Sequence, residues 1–92
     1  MIIDSSARHF HAPDNVKDHA VKRIQRFAKF SQKISQCQII LNHEQNEHIA
    51  EINLSVPGKT MFAKAVSRNM IKSIDQAATK TLQQLKKHRK TL

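Results

Sequence analysis

The chain has no tryptophan or tyrosine, a single cysteine, a single glycine and two prolines. Each scarcity excludes something. One cysteine permits no intramolecular disulfide and suits a reducing compartment. One glycine leaves no Gly-rich loop to cradle a phosphate and no dinucleotide fingerprint. Acidic residues are few and dispersed; Glu44, Glu47 and Glu51 fall near one hairpin end, too solvated for a paired acid–base site. No apolar run approaches the roughly 20 residues that a membrane helix needs. The start, MIIDSSARHF, lacks a basic segment followed by an apolar one, so no signal peptide is expected and a cytoplasmic location is. Cys37 stands beside Ile39, Ile40 and Leu41, which predicts a buried thiol and not a nucleophile. No enzyme activity, cofactor or small-molecule substrate is expected.

What the chain has in excess is positive charge. Sixteen Lys and Arg face seven Asp and Glu, giving +9 with neutral histidines. In a folded chain that imbalance implies a polyanionic partner, nucleic acid or an anionic membrane. Hydrophobic residues make up 39%, enough for a packed fold, and 92 residues make one domain spanning 1–92. The apolar mass must come from Ile, Leu, Val, Ala, Met and four Phe. The six histidines include His9-x-His11, His19, His43 and His48, without a Cys or carboxylate partner at recognised metal spacing, so no metal is expected. Their protonation at mildly acidic pH would raise the positive charge and modulate anion binding.

Periodicity orders the chain. Met1 to about Ala7 reads as a short strand, and Asp14, after Pro13, is placed to cap a helix from Asn15 to about Phe30. Val16, Ala20, Ile24, Phe27 and Ala28 form its apolar stripe. Lys22, Arg26, Lys29 and Lys33 lie opposite if the helix reaches Lys33, with Arg23 on the flank. Gln36 to His43 reads as a strand, with Ile40 pointing away from Cys37, Ile39 and Leu41 so that both faces are partly covered. His48 to Val56 alternates apolar and polar, Pro57-Gly58 supplies a type II turn, and Lys59 to Val66 returns as the second strand of a hairpin. Ser67 is expected to cap a last helix from about Arg68 to about His88, with Met70, Ile71, Ile74, Ala77, Ala78, Thr81, Leu82 and Leu85 inward. Lys72, Lys80, Gln83, Lys87 and Lys90 cluster on its other side, joined by Lys86 and Arg89.

The order is therefore β-α-β-β-β-α, an α+β fold with two helices on one face of a four-stranded mixed sheet. That topology sets both basic stripes on one side of the domain, as a broad surface and not a cleft. Phosphates would be held there by counterion release and charge-assisted hydrogen bonds. Stacking platforms for unpaired bases are scarce, so structured RNA suits the surface better than single strands.

The last helix, with Asn69-Met70, Ser73-Ile74-Asp75 and then Lys80 to Leu85-Lys86-Lys87-His88, resembles the signature of the ribosome hibernation promoting factors. These are also called ribosome-associated inhibitor or sigma-54 modulation proteins. The first helix, Phe30 and the strand QCQIILNHE fit in register, so the resemblance covers the whole chain. It implies the same β-α-β-β-β-α fold. It also implies binding to the small ribosomal subunit and its rRNA, in the channel of mRNA and the A- and P-site tRNAs. Translation would be blocked by occlusion and ribosomes stored in stationary phase or stress. Carried over by position, the RNA-binding residues are Arg23, Arg26, Lys29, Lys80, Lys86, Lys87, Arg89 and Lys90, with Gln83 standing where the family commonly has Arg; Lys22 joins them by its phase on the first helix. Ile71 replaces a usual Tyr. The end at Leu92 matches the short form, which in the family acts with a separate ribosome-dimerising factor. Two other readings remain open at this point: a general structured-RNA or duplex-binding module, and a regulator that binds a protein partner.

Overall fold

The computed structural model describes residues 1–30 and 33–91, the last three by backbone alone. Strand β1 (Ile2–Arg8) leads to helix α1 (Asp14–Gln25), then β2 (Gln36–Glu44), β3 (Glu47–Val56), β4 (Lys59–Ser67) and helix α2 (Met70–Thr91). The sheet runs β1-β2-β3-β4, with β1 parallel to β2 and the other pairs antiparallel. The α+β architecture expected from periodicity is the one observed.

Alternation makes the sheet two-sided. Cys37, Ile39 and Leu41 of β2 pair with Leu54, Ile52 and Ala50 of β3, and these in turn with Met61, Ala63 and Ala65 of β4. All nine are buried. Both helices cover this face and join one core through Val16, Ala20, Ile24 and Phe27 of the first segment and Met70, Ile74, Ala77, Ala78 and Leu85 of α2. Ile40 is also buried, at 9% exposure, but on the uncovered face and outside that core, as its phase indicated. At the β3–β4 turn Gly58 has φ +76°, the positive angle the second turn position requires.

Three local expectations are corrected. Asp14 does not cap α1: Pro13 holds that place, extended at φ −60° and ψ 154°, and its carbonyl accepts the Val16 and Lys17 N–H groups. Asp14 is the first helical residue, where its charge still suits the helix dipole. Secondly, α1 ends at Gln25 and tightens into a 3-10 turn over Arg26–Lys29. At three residues per turn Ile24, Phe27 and Phe30 align inward, so Ala28 is rotated out and exposed, and Lys33 falls in a turn beyond the helix.

Thirdly, Asn69 and not Ser67 caps α2: its Oδ1 accepts the Lys72 N–H at 3.1 Å. Ser67 works one step earlier. Its Oγ accepts the Asn69 N–H and bonds Ser73 Oγ, which donates to the His48 carbonyl and ties α2 to β3. Asn69→Ala should therefore cost about 1 kcal/mol and lower the melting temperature by about 4–8 °C, measurable by thermal unfolding.

Candidate nucleic-acid interface

The contacts between helices fix their direction. His19 and Arg23 of α1 meet Asp75 and Thr79 of α2, and Phe30 lies beneath Lys86. Increasing number on one matches increasing number on the other, so the helices run side by side in the same sense. Their outward faces form one continuous surface.

Lys22, Arg26 and Lys29 stand exposed on the α1 side of it. Lys72, Gln83 and Lys87 stand exposed on the α2 side, Gln83 in the middle of the outer stripe where phasing placed it. Lys86 leans toward the first helix, its Nζ 5.2 Å from the centre of the Phe30 ring. Lys80 leans the other way, and its Nζ donates to the Lys64 carbonyl at 2.8 Å. Beside it Gln84 Nε2 donates to the Phe62 carbonyl at 2.8 Å. These two side chains cover the outer edge of β4, which would otherwise present open carbonyls to another strand. Lys80 thus has a structural engagement that sequence phase did not indicate. The side chains of Arg89 and Lys90 lie outside the described residues.

Among the described members Arg23 alone is drawn inward. Its Nε lies 3.4 Å from an Asp75 carboxylate oxygen, and its guanidinium reaches the Asp75 carbonyl at 3.4 Å and Thr79 Oγ1 at 3.5 Å. His19 Nε2 reaches the same carboxylate at 2.7 Å. Asp75 is a feature that sequence reasoning did not identify: an acid in the valley of a basic surface, holding two side chains of the other helix. A half-exposed pair of this kind is worth about 1 kcal/mol or less. Its effect is to fix where the guanidinium points.

The aromatic side chains do not make a stacking surface on this side. Phe27 is buried, Phe30 is half-buried beneath Lys86, and Phe62, 52% exposed, lies on the opposite face of the sheet. Among the described residues no helix is long and apolar enough to cross a membrane. Nor do they contain three or more His, Cys, Asp or Glu grouped to hold a metal ion.

Cys37 is fully buried, and burial pushes its thiol up to about 12. It should stay unreactive toward a chromogenic disulfide reagent at pH 8 and react only as denaturant unfolds the chain, both transitions sharing one midpoint.

A family model described as "Sigma 54 modulation protein / S30EA ribosomal protein" matches residues 3–92. A ribosome hibernation promoting factor of Pseudomonas putida is 29% identical over 89 residues, covering 97% of this chain and 87% of that one. One from Klebsiella oxytoca is 31% identical over 77 residues, covering 84% and 81%. Among solved structures, a ribosomal subunit interface protein from Coxiella burnetii superimposes with a TM-score of 0.90 at 26% identity, over 97% of this chain and 98% of that one. The N-terminal domain of Thermus thermophilus Protein Y gives a TM-score of 0.86 at 20% identity, over 96% and 99%, a likeness of fold.

Proposed function

The chain belongs to the sigma 54 modulation protein / S30EA ribosomal protein family, and on that premise we propose that it is a cytoplasmic ribosome hibernation factor. It binds the small ribosomal subunit in the channel of mRNA and the A- and P-site tRNAs, blocks translation and holds ribosomes inactive in stationary phase or stress. The observation that carries this reading is the side-by-side run of α1 and α2, which collects Lys22, Arg26, Lys29, Lys72, Lys86 and Lys87 on one surface.

Such a surface recognises the spacing of phosphates along folded RNA. The lysines act as mobile point charges that release counterions, and Arg26 can grip a phosphate with two parallel bonds. Arg23 is pre-aligned by Asp75, so less freedom is lost when it meets a phosphate. Gln83 offers a neutral hydrogen bond amid the lysines. Arg89 and Lys90, which follow in the sequence, belong to the same expected set of contacts. The outcome is occlusion: a folded body fills the space of mRNA and tRNA, with no bond made or broken.

Sedimentation with purified subunits tests it. The protein should travel with the small subunit, and tRNA together with mRNA should displace it. A protein that stays in the supernatant at physiological salt while still binding free duplex RNA would be a general duplex-binding module instead.

A further inference from the structure

At the opposite end of the helices from Lys29, Lys86 and Lys87, the cationic side chains are of another kind. The β2–β3 hairpin ends there in a two-residue turn, with Gln45 at φ +54° and Glu44 paired with Glu47. One register step inward His43 pairs with His48. Their rings stack at 4.1 Å with 16° between planes, and Phe10 closes edge-on against His43 at 6.0 Å. Asn46 and Arg68 complete an open cleft of about 350 Å³ with the two histidines. Arg68 is exposed and immediately precedes Asn69, the cap of α2, so the positive end of that helix lies beside it.

The charged groups of β2, β3 and the start of α2 leave this cleft cationic. On β2 and β3, Glu44 and Glu47 sit one position out of phase with the histidines and so on the other face of the sheet. Glu44 is engaged there by His9, at 3.4 Å, and by the Asn42 amide. On α2 the first ionisable residue after the cap is Lys72, a cation, while Arg8 at the end of β1 pairs with Asn42 and so lies, like the two glutamates, on the other face of the sheet. His48 Nδ1 is shut off from water and has no hydrogen-bond partner among the described residues. Two imidazoles in face contact repel when both are charged, and His48 is held below the ordinary histidine value by burial and then by His43. A cleft lined by two imidazoles, an amide donor and a guanidinium suits an anion with several oxygen acceptors.

We propose that this cleft is a phosphate-binding site, with Arg68 as its constant cation, Asn46 as an amide donor, and the His43–His48 stack as donors that take up protons as the ligand enters. It is separate from the lysine surface and does not rest on the ribosome reading. The phosphate is either a diester of an RNA backbone or a free phosphate ester; the chemistry of recognition is shared. Binding tightens as the pH falls, because an oxyanion lying against the stack offsets the mutual repulsion of two imidazolium rings.

Histidine ring and backbone NMR of the whole protein tests this with inorganic sulfate, whose charge is constant between pH 5.5 and 7.5. Saturable shifts at His43, Asn46 and His48 are expected, with affinity at least about fivefold higher at the lower pH. Arg68→Gln should weaken binding about fivefold or more at both pH values. A double His43→Gln, His48→Gln variant should lose the pH dependence, and Arg68→Gln, an exposed change, serves if that variant fails to fold. A nucleoside monophosphate and a short RNA duplex, each tried against Arg68→Gln at pH 6, separate the two sources: the probe that loses affinity is the ligand class. Absence of saturable shifts, equal binding by wild type and Arg68→Gln, or a pH dependence that survives without both histidines would overturn the proposal. The sulfate titration is read on the free protein, so failure to sediment with ribosomes leaves this result standing.

Discussion

Replacing Lys22, Arg26, Lys29 and Lys87 together by glutamate should lower affinity for the small ribosomal subunit by at least about a thousandfold. Each contact from an exposed cation to a phosphate is worth on the order of 1 kcal/mol, and four lost contacts amount to roughly three decades. Reversed charge adds repulsion to that loss. All four side chains are exposed, and none makes a hydrogen bond or ion pair to the core among the described contacts. The melting temperature should therefore stay within a few degrees of wild type. Salt provides an independent check. Each phosphate contact contributes about 0.7–0.9 to the slope of log affinity against log salt, so the variant's slope should be shallower by about 3. A quadruple variant that binds as tightly as wild type would remove α1 and α2 from the interface.

Ile52→Ala should destabilise the fold by about 3–4 kcal/mol, the largest loss expected from a single truncation. Ile52 is fully buried on β3, between Ile39 of β2 and Ala63 of β4, beneath both helices. Ala63 is too small to expand into the space, so a cavity remains and its cost adds to the lost transfer energy. For a domain whose whole stability is about 5–10 kcal/mol, this is a drop of roughly 15–25 °C in melting temperature. Ile40→Ala makes the contrast. Ile40 is nearly as buried but lies on the uncovered face, outside the main core, where solvent can fill the space; about 1 kcal/mol is expected. Urea unfolding of the two variants with unchanged slopes would read both values.

Period-two alternation from His48 to Val56 and the Pro57-Gly58 pair carried enough information to define the hairpin, its register and its buried face. The apolar stripes of the helices carried their inward sides, and topology then set both outer faces together. Local competition was less visible. Ser67 and Asn69 are both good caps, and only the placement of Ser73 beneath His48 decides which of them opens α2. The 3-10 turn at Arg26 depends on Phe27 and Phe30 both reaching the core, a tertiary requirement that overrides the helical period. The same holds for the interface. Exposure of Lys22, Arg26, Lys29, Gln83 and Lys87 followed from phase alone. The inward turn of Arg23 toward Asp75 and the lean of Lys80 onto β4 required knowing which element lies alongside.

Whether the helix side of the molecule faces rRNA, as proposed, is measured most directly by tethered cleavage. Cys37 is buried and silent, so a single cysteine introduced at Gln76, exposed on α2, or at Thr60, exposed on the open sheet face, can carry an iron chelate. In complexes with the small subunit, radicals from position 76 should cut rRNA lining the mRNA channel and the A and P sites, while those from position 60 cut it weakly there or not at all. Strong cuts in that channel from position 60 with none from position 76, or cuts from position 76 confined to the outer surface of the subunit, would contradict a helix-faced interface in the decoding channel.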